Sequence, residues 1–171
     1  MSKRTAEPGN AQAYIELRRA RIRDSVQRPL RPVAPDAVAL SAERLAFLRR
    51  EAEELYWNEL AWEELTDEER IAGGHLTEMV FPGFLAFVDG LLVDRAPQDS
   101  PAPPRPHPDA VEEILTFLGE RYAHLSAELE SGADSQRLVW ARAMTGQLID
   151  LVLCRLYRLS PAERERVENA A

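Results

Sequence analysis

The sequence predicts an all-α fold: a four- or five-helix bundle with a basic N-terminal arm and a proline-rich linker between two helical halves. Three observations carry that prediction. Apolar residues recur at three- and four-residue intervals over several long stretches, as a helix with one buried face requires. Helix-start signatures, a capping Ser, Thr or Asp followed three residues later by Glu, punctuate those stretches at Thr66, Asp109 and Ser160. No stretch alternates apolar and polar residues in the manner of a half-buried strand.

Residues 1–35 form the arm, helical or flexible. They carry eight basic and three acidic side chains, so residues 36–171 hold a charge of −13 within the total of −8. A short helix is expected over Asn10 to Gln27, closed by Pro29, Pro32 and Pro35. Its Arg18, Arg19, Arg21 and Arg23 are candidate nucleic-acid contacts, since arginines hold phosphate by displacing counterions. They could equally dock on the acidic body or on a protein partner.

Residues 36–95 form an acidic helical half. Ser41 reads as an N-cap, and Leu45, Leu48, Ala52, Leu55, Tyr56, Leu60 and Trp62 make an apolar stripe that runs to about Glu64. Residues 36–70 carry eleven acidic and four basic side chains, a surface that repels nucleic acid. Thr66 and Glu69 make a capping box. Gly73-Gly74 and Pro82-Gly83 then confine His75 to Phe81 to a short helical or irregular connector. Phe84 to Val93 is apolar nearly all round, which suits a core or an interface. If it is not covered within the chain it is a partner-binding segment, with Phe84, Phe87 and Leu91 as its contacts.

Six prolines in residues 96–108 exclude a helix or central strand and read as an extended, semi-rigid linker. The C-terminal half, residues 109–171, follows, and 36–171 should form one compact domain. Asp109 with Glu112 caps a helix whose stripe is Val111, Ile114, Leu115, Leu118, Tyr122, Leu125 and Leu129. Ser131 to Asp134 turns the chain back, antiparallel, into a helix from Ser135 to Leu159. Its packing face contains Leu148, Ile149, Val152, Leu156 and Tyr157, of which Ile149, Val152, Leu156 and Tyr157 are further candidate partner contacts. Ser160, Pro161 and Glu163 start a last short helix.

Residues 149–168 also resemble a known family. The string Ile149-Asp150, Leu153, Leu156-Tyr157, Leu159-Ser160, Glu163, Val167-Glu168 is similar to the C-terminal helical region of type IIG-like fused restriction endonuclease and adenine methyltransferases. The chain departs from that pattern at Cys154, where tyrosine is usual, and at Arg158, where glycine is usual. The resemblance implies a structural element of a DNA restriction or defence system and no catalytic residue. An Asn-Pro-Pro-Tyr motif and a glycine-rich cofactor turn are absent, and Lys3 is the only lysine.

Composition narrows the function classes. At 45% hydrophobic and 29% charged residues the chain is neither of disordered nor of membrane type. No run reaches the roughly 18 apolar residues of a membrane span. The absence of a signal-peptide pattern and a lone cysteine, Cys154, fit a cytoplasmic bacterial protein. Neither His75-x-x-Glu78 nor Glu120-x-x-x-His124 matches a di-metal bundle motif. Cys154 lies on an apolar stripe, where a thiol is usually inert. Trp57, Trp62 and Trp140 fall at helical positions as core or interface aromatics. The expectation is a non-enzymatic interaction or adaptor module without metal or cofactor. It would be an accessory subunit of a larger complex or a homo-oligomer. The alternative is a nucleic-acid-associated accessory protein of a restriction-modification or phage-defence system.

Overall fold

In a computed structural model, whose described residues are 8–34, 37–72, 76–93, 106–132 and 135–170, every regular element is helical. The order is α1 (Pro8–Val26), α2 (Ala42–Glu59), a single 3-10 turn (Trp62–Glu64), α3 (Asp67–Ile71), α4 (Thr77–Val80), α5 (Pro82–Leu91), α6 (Pro108–Glu130), α7 (Gln136–Leu156) and α8 (Pro161–Ala170).

Helix α6 is the centre. It packs against α1, α2, α5 and α7, which is why its buried residues, among them Val111, Ile114, Phe117, Leu118 and Gly119, extend beyond a single stripe. Its close approach to α1 is made possible by glycine. A Cβ on Gly119 would lie 2.8 Å from the Ala11 carbonyl oxygen and 3.0 Å from Ile15 Cγ1, so only a residue without a side chain lets α1 sit there. Around Tyr56, on α2, the rings of Phe81 and Phe117 lie 5.6 and 5.4 Å away. The Tyr56 hydroxyl is paired with Thr145 Oγ1 at 2.7 Å, so no polar atom is left unsatisfied there. Burial raises the Tyr56 pKa.

Residues 8–34 are a part of this core and not a tethered arm. Ala11, Ile15, Ile22 and Val26 are buried along one side of α1, which lies on α6 and α8. After Gln27, whose φ of 58° ends the helix, the segment is strapped across the end of α7. Val33 N–H donates to the Leu156 carbonyl at 3.0 Å, and the Arg28 guanidinium grips Glu163 at 2.7 and 3.1 Å. The sequence marks α1 as helical and basic. It does not show that a mostly polar helix with four small or aliphatic contacts has a matching surface waiting for it.

Most of the punctuation holds. Ser41 accepts from Arg44 N–H, and Thr66 with Glu69 closes a reciprocal capping box. Ser160 and Glu163 exchange the same pair of bonds at the start of α8. Two details differ. Helix α2 ends at Glu59 and not near Glu64, and the Glu59 carboxylate instead caps α5, accepting from Gly83 N–H at 2.7 Å and Phe84 N–H at 2.8 Å. Asp109 is not the N-cap of α6, which starts at Pro108. Its carboxylate accepts from Leu40 N–H at 2.7 Å and so ties down the segment before α2.

The helices on either side of the proline-rich segment pack on one another. Residues 96–105 of that segment lie outside the described residues, but His107 N–H donates to the Leu91 carbonyl at 2.8 Å, and α5 packs on α6. Helix α7 ends in a Schellman motif: Leu159 N–H donates to the Cys154 carbonyl at 3.0 Å and Arg158 N–H to the Arg155 carbonyl at 3.2 Å. Arg158 holds the left-handed position of that motif, with φ of 51°.

Candidate interaction surface

The seven residues that sequence patterning nominates for partner contact are, with one exception, core. Phe84, Leu91, Ile149, Val152, Leu156 and Tyr157 are buried, and Phe87 is half-buried against the same cluster. Helix α5 is covered by α2, α4, α6 and α7, and the α7 face by α6 and α1. An apolar stripe shows that a face must be covered; it does not say by what. In this fold six of these side chains are closed within the chain, and Phe87 is half-buried.

The four nominated arginines separate in the same way. Arg18 Nη1 and Arg21 Nη2 converge on one carboxylate oxygen, Asp150 Oδ2, at 2.9 and 2.7 Å. Arg19 Nη1 bonds Glu112 Oε2 at 3.0 Å, and its guanidinium also meets the Tyr157 hydroxyl. Burial works against the Arg19 charge, but the Glu112 pair outweighs it and its pKa is raised. Arg23 alone of the four is exposed. A cation already held by a half-buried carboxylate gains little by meeting a phosphate, because the first pair must be broken. Three arginines of α1 are thus held by carboxylates of the acidic body, Asp150 and Glu112.

Glycine again makes room for this arrangement. A Cβ on Gly146 would come within 2.6 Å of Arg18 Nη2 and 3.1 Å of Tyr122. Arg18 also lies over the Tyr122 ring, 5.2 Å from its centre.

Among the described residues, a groove lies open between α3 and the first two turns of α7. It encloses about 650 Å³ and is lined by Trp62, Asp67, Arg70, Ile71, Ser135, Gln136, Val139, Trp140 and Ala143. On α7 the lining residues Gln136, Val139, Trp140 and Ala143 follow the spacing of one helix face. The floor is fixed. Trp140 Nε1–H donates to the Glu69 carbonyl at 3.1 Å, the Trp62 ring stands edge-on to it at 5.4 Å, and Arg70 is drawn inward onto the Trp62 carbonyl at 2.8 and 3.1 Å. The walls are not covered. Ile71 is 84% exposed and Val139 is 50% exposed.

Sequence reasoning missed this surface. Val139 sits beside the stripe begun by Leu138, and Ile71 follows an acidic run with no apolar companion at helical spacing. Both are apolar residues off their helix's buried face, and that was the available signal.

The groups that could support chemistry are dispersed. Burial, aided by the nearby Asp150 charge, pushes the Cys154 thiol up to about 11. His124 is exposed near Glu128, and His75 lies outside the described residues. Among the described residues no three His, Cys, Asp or Glu side chains gather as metal ligands, and no helix is long and apolar enough to cross a membrane. No protein-family model matches this chain, and neither a curated protein nor a solved structure shows significant similarity to it.

Proposed function

We propose that this protein is a non-enzymatic helical interaction module, an accessory subunit of a larger bacterial complex or a self-associating chain. The observation that carries this reading is the α3–α7 groove. Among the described residues, Trp62 and the hydrogen-bonded Trp140 floor a groove whose Ile71 and Val139 walls face solvent, bringing two exposed aliphatic side chains together over an aromatic floor. Exposed apolar surface concentrated in one concave place is characteristic of a protein contact.

Light scattering on the purified chain, and on the chain isolated from its native host under mild conditions, tests the reading. A defined mass greater than one chain is expected in at least one preparation. A single-chain mass in both would overturn it.

The nucleic-acid alternative has less support, because Arg18, Arg19 and Arg21 are engaged by Asp150 and Glu112. Titration of duplex DNA at two salt concentrations addresses it directly, and direct binding would appear as an affinity that falls steeply with salt.

A further inference from the structure

We infer that residues 8–34 form a charge-held cover, which lifts from α6, α7 and α8 as one unit before α6 and α7 separate, and lifts more readily as ionic strength rises. The inference goes beyond the interaction-module reading and does not depend on it. Its basis is the way this segment is attached.

Helices α6 and α7 bury ten and eleven residues respectively. Helix α1 has 19 residues, of which Ala11, Ile15, Ile22 and Val26 are buried, and the strap that follows it adds Val33. Lifting 8–34 therefore gives up less apolar contact per residue than parting α6 from α7, and units of that kind open first in a native protein. Charge supplies a large share of the remaining attachment. Arg18 and Arg21 meet Asp150 on α7, Arg19 meets Glu112 on α6, and Arg28 meets Glu163 on α8. Every one of these pairs crosses from the segment to the body, so all four are broken together when it lifts.

Salt acts on this attachment selectively. The side chains of Arg21 and Arg28 are 36% and 38% exposed, so mobile ions reach these pairs. The wider attraction between a basic segment and an acidic body is screened over the Debye length as well. Apolar burial between α6 and α7 is not screened. Closed, the segment occupies its own arginines and hides the α6 surface at Gly119; lifted, it offers both.

Amide hydrogen exchange of the full chain, read by mass spectrometry at about 0.05 and about 0.5 M NaCl, follows this opening directly. At low salt the amides of α1 are expected to exchange faster than those of α6 and α7. The higher salt should accelerate α1 at least about fivefold and change α6 and α7 less than about twofold. Arg21→Gln and Arg28→Gln each remove one cation and leave the buried aliphatic side chains in place. In both variants α1 should exchange faster than in wild type at low salt and respond less to added salt.

Exchange of α1 at the same rate as α6 and α7 would overturn the inference, because the segment would then open only with the whole molecule. So would a salt response shared equally by α1, α6 and α7, or one that both substitutions leave intact.

Discussion

Replacing Gly119 by alanine sets two opposing effects against each other where α1 lies on α6. Alanine is the better helix former by about 1 kcal/mol, and on an exposed helix this exchange would stabilise. Here the added Cβ would stand 2.8 Å from the Ala11 carbonyl oxygen, where ordinary contact begins at 3.4 Å. The obstacle is backbone and cannot rotate aside, so α1 must retreat by about 0.6 Å, and Ile15, buried against the same position, retreats with it. That movement also stretches the Arg18–Asp150 and Arg19–Glu112 pairs. Overpacking of this kind costs about 1–3 kcal/mol, which exceeds the helix-propensity gain. At the middle of that range the net expectation is a loss of about 1 kcal/mol, or a fall in Tm of roughly 2–4 °C for a chain of this size. Urea unfolding followed by far-UV circular dichroism measures it. Proteolysis near Gln27 and Arg28, where α1 ends, should accelerate in parallel. Gly146→Ala is the matched comparison, because its nearest obstacle is the mobile end of Arg18, and it should cost less. A Gly119→Ala protein as stable as wild type, or more stable, would refute the close-packing argument.

Arg158→Gly should stabilise by about 0.5–1 kcal/mol, because Arg158 occupies the left-handed position of the α7 Schellman motif, which glycine adopts without strain. A lower urea midpoint in the variant would contradict this. Asp150→Ala removes the carboxylate shared by Arg18 and Arg21 and should destabilise by about 1–3 kcal/mol; a change within 0.5 kcal/mol of zero, on the order of an ordinary surface substitution, would show that these pairs contribute little. Arg28, with the Ser160 backbone behind it, holds the Glu163 carboxyl down to about 2, below its usual 4.5. Its contribution is therefore complete above about pH 4.5 and is lost as pH falls toward 2. The acid-unfolding profile of Glu163→Gln should lack that part of the wild-type slope. Cys154 should resist a thiol reagent at pH 8 in the native protein and react promptly once the chain is unfolded, since burial holds its thiol up to about 11.

The sequence by itself determined the helical class and the starts of α2, α3, α7 and α8. Ser41, Thr66, Ser135 and Ser160 are local devices, each satisfying backbone N–H groups within three residues of itself, so their signal is complete in a short window. The same holds for the stripes of α2, α6 and α7. It failed where one side chain serves a distant element, as Glu59 does for α5 and Asp109 for the segment at Leu40.

Only the tertiary structure decided which faces meet. A run such as Phe84 to Leu91 has the same composition whether it is roofed by α2 and α6 or by another protein, because the hydrophobic effect rewards burial without naming the cover. Likewise a basic helix reads the same whether its arginines meet phosphates or Asp150 and Glu112. The fold resolves both by proximity. It places α1 within reach of the acidic body and closes the predicted faces. Ile71 and Val139, two residues outside every stripe, are left as the exposed walls over paired tryptophans.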